Sequence, residues 1–364
     1  MYENICISCF KDTMGQQICP HCGNVESGAR KSTFLPARVV LHGRYLIGET
    51  LSSDKNGMCY KAFDLQAQQI LEVQEHFPRE MVTRDKETLS LVPLVQGEES
   101  KWPGKGVQTI LHNAQTMMRF SDCEGLLRIY DVFEENNTVY IVNEYLEGLT
   151  LDDYLKQCGG VLDTETALSV VYPILDALTA LHKAELVHRA VTPKNIVLTT
   201  DNTVKLINFV FLKESSAYKE NDMTVYFSPG YAPYEQYVSR ERRGPYTDIY
   251  SVGAVLFRML CGKTPPDAVS RRSEEDPLRD LLEEAELPEH LVRCIAKAMD
   301  MNKDVRFKSA ADLKNALQQK NEVVDIDEII DANSTRRQYR VIGVLIAVLA
   351  ALVVALVLVL DKLF

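Results

Sequence analysis

The chain of 364 residues is 46% hydrophobic and 25% charged, a composition that fits one large or two small globular domains with appendages. Its formal net charge of −11 argues against a nucleic-acid-binding surface as the main function, because such surfaces are basic. Four of its nine cysteines lie within the first 22 residues, and the scattered others fit buried thiols of a reducing compartment.

The cysteine cluster at the N-terminus predicts a metal site. The pairs Cys6-x-x-Cys9 and Cys19-x-x-Cys22 can each offer two thiolates on one tight turn, and two such turns close a tetrahedral zinc site. Residues 1–27 are therefore predicted to form a zinc ribbon, with unpaired or disulfide-linked cysteines as the alternative. Because few basic side chains accompany the cluster, a structural or protein-contact role is favoured over nucleic-acid binding.

After a predicted linker at 28–43, two segments carry the clearest functional pattern. Residues 188–198 read HRAVTPKNIVL, and residues 204–210 read VKLINFV. They resemble the catalytic loop H-R-D-x-x-x-x-N and the metal-binding segment D-F-G of eukaryotic-type protein kinases. Ala190 stands where the catalytic aspartate would be, and Asn208 stands where the magnesium-binding aspartate would be. The pair indicates a kinase fold that lacks two of its acidic groups.

The resemblance extends over residues 44–320. More closely, the chain resembles bacterial membrane-bound serine/threonine kinases that carry an N-terminal zinc ribbon. The resemblance implies an α+β, bilobal, protein-kinase-like domain over this range. Within it we predict helices over 107–120 and 167–183 and a strand over 139–142, and the second helix follows from apolar residues at helical spacing.

The positions that bind the triphosphate in this family are altered. A kinase uses G-x-G-x-x-G to bring bare backbone close to the phosphates, whereas residues 52–57 read SSDKNG, so only Gly57 remains. Asp54 brings a carboxylate into this loop, and Asn56-Gly57 is interpreted as a plain hairpin turn. The resemblance assigns Gln74 to the place of the strand lysine and Asn113 to that of its glutamate partner, and a hydrogen bond between these amides is predicted.

The hinge keeps the family's pattern. Residues 143–148 read NEYLEG and match the segment that lines the adenine pocket, where the backbone at Glu144 and Leu146 would recognise the base. With Gly57, these residues are the candidates for a surviving adenine pocket. Asn195 matches the asparagine that holds a second magnesium, but an isolated amide binds that metal poorly. Zinc at the four cysteines is the expected cofactor, whereas the altered positions of the triphosphate site argue against ATP and magnesium.

Positions that stabilise the kinase fold are kept. By the resemblance, Glu235 should pair with Arg306, and Asp248 should hydrogen-bond the backbone of the catalytic loop. The losses are thus selective for groups that bind the charged part of a nucleotide.

Three functions follow as hypotheses. The first is a pseudokinase that has lost phosphotransfer and acts as a signalling scaffold or allosteric partner. The second is an atypical but active serine/threonine kinase, with its lysine relocated to Lys55 or Lys61 and its base to Asp201 or Asp222. The third is a nucleotide-binding sensor without transfer.

The C-terminal region predicts a membrane anchor. Within 340–360, twenty consecutive residues carry no charged or polar side chain, and a helix of that length spans the hydrocarbon core of a bilayer. Arginines before this segment place the N-terminal bulk of the chain in the cytoplasm. An acidic juxtamembrane linker at 321–339 precedes the span, and 361–364 form a short extracytoplasmic tail. The predicted location is the cell membrane, crossed once.

The predicted partners are the membrane and other proteins, including an active kinase related to this chain. A stripe of small residues recurs every four positions along the predicted span and would let two such helices pack closely as a homodimer. The stripe consists of Gly343, Ala347, Ala351 and Ala355. No nucleic-acid partner is expected.

Overall fold

The computed structural model describes residues 2–26, 33–54, 57–95, 102, 105–208, 228–238, 243–272 and 276–319. The chain divides into two units, Met1–Leu317 and Gln318–Phe364, and the second is described only at its first two residues. The predicted acidic linker, membrane span and tail lie outside the described residues. Within the described ranges, no helix is long and apolar enough to cross a bilayer. The membrane anchor stays a prediction.

Two similar turns build the N-terminal module, each closed by one antiparallel bridge. In the first turn the N–H of Phe10 donates to the Cys6 carbonyl at 3.0 Å, and in the second the N–H of Gly23 donates to the Cys19 carbonyl at 2.9 Å. Phe10 and Gly23 both adopt left-handed backbone angles, with φ of 58° and 73°. Glycine adopts this conformation freely, whereas a bulky residue such as phenylalanine rarely does.

A six-stranded antiparallel sheet forms the N-terminal lobe. Its strands are β1 (Val40–Leu41), β2 (Tyr45–Ser53), β3 (Gly57–Asp64), β4 (Gln69–His76), β7 (Ile129–Glu135) and β8 (Thr138–Glu144). They lie side by side in the order β1-β2-β3-β4-β8-β7. A hairpin of β5 (Val82–Arg84) and β6 (Leu91–Pro93) follows β4, and helix α1 (Lys105–Met117) continues as one 3-10 turn to Phe120.

Strand alternation gives this sheet one buried face. Successive side chains point to opposite sides of a strand, and the inward set of β3, β4 and β8 is completely or almost completely buried. It includes Met58, Tyr60, Ala62, Leu71, Val73, Tyr140 and Val142. Burial of this apolar surface is the main force that holds the lobe together.

A buried ion pair fastens the segment after β4 to the same core. A guanidinium nitrogen of Arg84 lies 2.5 Å from a carboxylate oxygen of Glu75, and both side chains are buried. The hydroxyls of Tyr60 and Tyr140 also donate to Glu75, at 3.0 and 2.7 Å. Arg84 donates in addition to the carbonyl of Thr33 at 2.9 Å. The described end of the predicted linker is therefore packed against the lobe.

The C-terminal lobe is mainly helical. Its helices are α2 (Leu151–Gln157), α3 (Thr164–Lys183), α4 (Tyr234–Tyr237), α5 (Pro245–Cys261), α6 (Leu278–Glu283), α7 (Glu289–Ala298) and α8 (Ala310–Gln318). A small antiparallel sheet of β9 (Gly148–Thr150), β10 (Ile196–Thr199) and β11 (Val204–Leu206) lies in the same lobe. Helix α5 is buried over most of its length and forms the centre of this lobe.

The elements predicted from the sequence are confirmed with small shifts at their ends. The helix predicted over 107–120 is α1 with its 3-10 turn, and the strand over 139–142 lies within β8. The helix predicted from residue 167 begins at Thr164, because the carboxylate of Asp163 caps it by accepting the N–H of Thr166 at 2.9 Å.

Candidate functional site

The sheet face opposite the buried core holds the positions that the kinase resemblance assigns to the nucleotide. The strand register pairs Lys61 of β3 and Asn143 of β8 with Glu72 of β4. We call this surface the cleft face; its members are Cys59, Lys61, Glu72, Gln74, Ile141 and Asn143. Four of these six side chains are charged or carry an amide, although a purine base normally lies between apolar groups.

An acid and an amide occupy the middle of the cleft face. The Nδ2 of Asn143 donates to a carboxylate oxygen of Glu72 at 3.2 Å, and Asn143 is only 2% exposed. Burial raises the pKa of Glu72, and the hydrogen bond from Asn143 offsets part of that rise. Residues 71–74, LEVQ, align with the V-A-I-K pattern, so Glu72 adds a carboxyl group where that pattern has alanine.

The sequence motifs did not predict this acid–amide pair, because the hinge keeps the family's pattern. The signal was present in LEVQ, because alternation puts Glu72 on the same face as Gln74. The pairing with Asn143 required the register of two strands that are far apart in sequence, and no local pattern supplies it.

The lysine of the cleft face points to the hinge. The Nζ of Lys61 lies 4.5 Å from the ring centre of Tyr145 and 3.8 Å from a carboxylate oxygen of Glu49. A cation over an aromatic face is a favourable contact, more so when it is shielded from water. Lys61 is thereby held away from the place of the family's phosphate-binding lysine. The other proposed replacement, Lys55, lies outside the described residues.

The predicted adenine-binding residues of the hinge are present and well held. Glu144 ends β8, and its carboxylate accepts the N–H of Arg128 and the ammonium of Lys205, both at 2.8 Å. Leu146 follows and is half-buried. The hinge backbone is therefore in place, but the acid–amide pair lies on the strands beside it.

At the end of the phosphate-binding loop, Asp54 and Gly57 bind each other through two hydrogen bonds. The N–H of Asp54 donates to the Gly57 carbonyl at 3.0 Å, and the N–H of Gly57 donates to the Asp54 carboxylate at 2.8 Å. A backbone N–H available to a phosphate oxygen in a glycine-rich loop is here bound to a fixed carboxylate. The hairpin interpretation agrees with these contacts, although residues 55–56 themselves are not among those described.

The two remaining amides of the triphosphate site lie on different elements. Gln74 is half-buried in β4 and Asn113 is half-buried in α1. The predicted hydrogen bond between these two side chains stays a prediction. Both positions still lack the charge of the ion pair that they replace.

Two asparagines lie together at the position of the metal. The Nδ2 of Asn208 donates to the Oδ1 of Asn195 at 3.0 Å, and the Nδ2 of Asn195 donates to the carbonyl of Ala190 at 2.8 Å. The one oxygen that Asn195 could give to a metal therefore already accepts a hydrogen bond. Magnesium prefers carboxylate and phosphate oxygens, and this pair offers neither. The following residues, Phe209 and Val210, lie outside the described part of the chain.

The proposed relocated base is also engaged. The carboxylate of Asp201 lies in the turn between β10 and β11 and accepts the hydroxyls of Thr199 and Thr203. These hydrogen bonds lower the pKa of Asp201, with the one from Thr199 the largest cause. The side chain is an exposed turn element, and the alternative base, Asp222, is not described.

The catalytic loop keeps its support from α5. The carboxylate of Asp248 accepts the backbone N–H groups of His188 and Arg189 at 2.8 and 2.7 Å, as predicted. The third contact of this carboxylate is the Nε2 of His182 at 2.8 Å. His188 is fully buried, and burial lowers its pKa to about 4, so the imidazole is neutral at pH 7.

A second support joins the ends of the lobe. Arg306 contacts Glu235 through both terminal guanidinium nitrogens, at 2.7 and 3.2 Å, which confirms the predicted ion pair. Arg306 is 1% exposed and Glu235 is 3% exposed. The hydroxyl of Thr247 also donates to the Glu235 carboxylate, at 3.2 Å. Such a fully paired charge is costly to break.

The four N-terminal cysteines meet in one cluster. Their Sγ atoms all lie within 4.8 Å of one another, with Cys6 and Cys22 at 3.7 Å and Cys9 and Cys19 at 3.6 Å. A tetrahedral zinc ion with Zn–S bonds of about 2.3 Å separates its sulfur ligands by about 3.8 Å. These separations exclude a disulfide, whose sulfurs lie about 2.05 Å apart. The cluster fits a zinc ribbon.

Comparison with known proteins agrees with the kinase fold described above. The family model of the protein kinase domain matches residues 82–324, more than half of the chain. A probable serine/threonine-protein kinase of Clostridium perfringens, CPE1738, is 30% identical over 205 residues, covering 52% of this chain and 28% of that protein. The serine/threonine-protein kinase PrkC of Bacillus subtilis is 35% identical over 153 residues, covering 41% of this chain and 23% of that protein.

The solved structures give the same result. The apo form of PpkA-294 superposes with a TM-score of 0.67 and 26% sequence identity, over 78% of this chain and 99% of that one. This chain spans 28% and 23% of the length of the two curated relatives. The bilobal fold, the preserved supports of the catalytic loop and the family match lead to one conclusion: the chain belongs to the protein kinase family.

Proposed function

We propose that this chain is a membrane-anchored pseudokinase that acts as a cytoplasmic signalling scaffold or allosteric partner and has lost phosphotransfer. The observation that carries the proposal is the cleft face, where the Glu72–Asn143 pair stands on the strands that would cover a nucleotide base.

The cost of binding a base against this pair supports the proposal. A base that covered Glu72 would remove its carboxyl further from water, and a buried charge or polar group without new partners is strongly unfavourable. Displacing the pair would also break the hydrogen bond from Asn143, which is worth roughly 1 kcal/mol. ATP would gain little in return, because Gln74 brings no charge to the phosphates.

The chemistry of transfer meets a further obstacle at the catalytic loop. The Nδ2 of Asn208 donates to the Oδ1 of Asn195, and the side chain of Ala190 has no group that accepts a proton. A general base contributes roughly 10²–10⁴-fold to a rate, and a metal adds several kcal/mol of charge stabilisation. Both contributions would be missing together, which argues for a scaffold rather than a slow enzyme.

The partners follow from the same chain. The predicted span at 340–360 would hold the kinase domain at the cytoplasmic face of the cell membrane, and its small-residue stripe favours a homodimer. The relatives are named serine/threonine-protein kinases, so we propose that an active kinase of this family is one protein partner. The zinc ribbon contributes a structural module rather than a nucleic-acid site.

The test is nucleotide binding by the full chain in detergent, followed as a thermal shift with ATP, with and without magnesium. We expect no shift under either condition. A matched variant, Glu72→Ala with Asn143→Met, makes the cleft face apolar and should gain a shift with adenosine that does not depend on magnesium. A magnesium-dependent shift of the unaltered chain with ATP would contradict the proposal in favour of an active kinase, and a metal-independent shift would favour a nucleotide sensor.

A further inference from the structure

The zinc ribbon contacts strand β2 just before the phosphate-binding loop. The register of β2 with β3 is interrupted between Ile47 and Thr50. In that gap the N–H of Glu49 donates to the carbonyl of Ile7, in the first cysteine turn, at 2.9 Å. The hydroxyl of Ser8 donates to the Glu49 carboxylate, also at 2.9 Å. The ribbon therefore supplies a backbone partner to an irregular part of the sheet.

The approach of the ribbon to β2 is so close that it requires glycine. A Cβ atom added to Gly48 would lie 2.3 Å from the Ile7 carbonyl oxygen and 2.5 Å from the Cζ of Phe10. Both distances are shorter than any real Cβ contact. The ring of Phe10 also stacks on Phe63 of β3, with ring centres 5.5 Å apart. A side chain at position 48 would push the ribbon away from the lobe.

Phe10 is held in a conformation that the first cysteine turn imposes. It follows Cys9 as Gly23 follows Cys22, and both residues close the same type of turn with left-handed backbone angles. The glycine adopts this angle freely, and the phenylalanine does so only under constraint. A metal bound by Cys6 and Cys9 on either side of Ile7 and Ser8 would supply that constraint.

The same strand leads to the hinge. Glu49, which the ribbon contacts twice, lies 3.8 Å from the ammonium of Lys61, and that ammonium lies over the ring of Tyr145. A continuous set of contacts therefore joins the ribbon, through Glu49 and Lys61, to Tyr145 at the edge of the cleft.

We propose that the zinc ribbon is a metal-dependent clamp on β2, in which zinc fixes the first cysteine turn in the shape that docks on Gly48 and Glu49. Loss of the metal releases Phe10 from its strained backbone angle and frees β2. Because coupling between two sites is reciprocal, release of β2 also weakens zinc binding. The clamp does not depend on whether the domain binds ATP.

The first test is hydrogen exchange at the Glu49 amide in the full chain, because that N–H has its partner in the ribbon. Removal of zinc by a chelator should speed this exchange by about tenfold or more, and added zinc should restore it. Phe10→Ala should give the same acceleration with zinc still bound, whereas Met14→Ala should give none. Met14 is a matched control, because it shares the ribbon and a left-handed φ of 55° but is 70% exposed. Unchanged exchange after zinc removal would overturn the proposal.

A second variant leaves the ribbon sequence unchanged, so it tests the clamp even if Phe10→Ala does not retain zinc. Gly48→Ala should lower zinc affinity by about tenfold in competition with a chromophoric chelator, since coupling free energies between sites are commonly of this size. Zinc affinity equal to that of the unaltered chain would overturn the clamp. Neither readout involves nucleotide or phosphotransfer, so failure of the clamp and failure of the proposed function are distinguishable.

Discussion

Two polar sites of the C-terminal lobe differ in how they are satisfied. At Glu235 and Arg306, opposite charges meet in the interior through two hydrogen bonds. At Asn195 and Asn208, where the family holds its metal, two neutral amides meet at 3.0 Å. The first site is complete without any ligand and keeps its charges. The second has an amide in place of a carboxylate, and this amide donates to its neighbour, so the pair offers no carboxylate oxygen to a metal.

The largest effect is expected from breaking the charged site. Arg306→Met leaves the Glu235 carboxylate buried with only a hydroxyl partner, and the loss of one member of a buried pair costs about 3–5 kcal/mol. Chemical denaturation should show this loss. The control is Arg279→Met in an exposed pair with Glu283, which should cost no more than about 1 kcal/mol. Equal effects of the two variants would show that the buried pair does not support the lobe.

The next effect is a pH dependence that arises at His188. Its folded pKa of about 4 lies below the value of about 6.5 expected in the unfolded chain. The unfolded chain therefore binds more protons between these values, and stability falls as the pH is lowered through this window. Urea unfolding should show a loss of about 2 kcal/mol from this residue between pH 7 and pH 5. His188→Asn should flatten the slope, and an unchanged slope would contradict the assignment.

A smaller effect should follow from restoring the acid at the metal position. Asn208→Asp removes the N–H that binds Asn195 and brings two acceptors together, which should cost about 1–2 kcal/mol without metal. Manganese should recover part of the loss, seen as a thermal shift. Asn202→Asp is the control, because Asn202 is exposed in a turn and has a similar φ of 61°. If both variants melt alike with and without metal, the amide pair does not stabilise the loop.

The smallest effect is expected on the cleft face. Burial raises the folded pKa of Glu72, so its charged form is unfavourable near neutral pH. Glu72→Gln should therefore raise Tm at pH 7.5 by about 2 °C, a shift typical of somewhat less than 1 kcal/mol in a domain of this size. The gain should shrink as the pH falls and Glu72 becomes protonated. The control Glu87→Gln, on an exposed turn, should leave Tm unchanged both at pH 7.5 and at lower pH.

The sequence predicted the C-lobe contacts well because they depend on family motifs. Glu235, Arg306 and Asp248 were each assigned from a short pattern, and each makes the contact expected of it. The four cysteines were likewise predicted from spacing alone. Such patterns work where one residue type in one place has a single physical role.

The cleft face and the docking of the ribbon could not be predicted in the same way. The bond between Asn143 and Glu72 depends on the register of β4 and β8, which are distant in sequence. The contact between Phe10 and Gly48 depends on an interruption in the register of β2 and β3. Local pattern fixes which side chains share a face but not what lies across from them.

Phosphotransfer by the full chain, measured with labelled ATP in the presence of magnesium or manganese, tests the loss of catalysis directly. An active serine/threonine kinase of the family serves as the positive control. We expect no phosphate on the chain or on a generic protein substrate. Ala190 stands in place of the catalytic base, Gln74 in place of the strand lysine and Asn208 in place of the metal-binding carboxylate. Phosphate incorporation that a hinge-directed inhibitor abolishes would show instead that the chain is an active kinase.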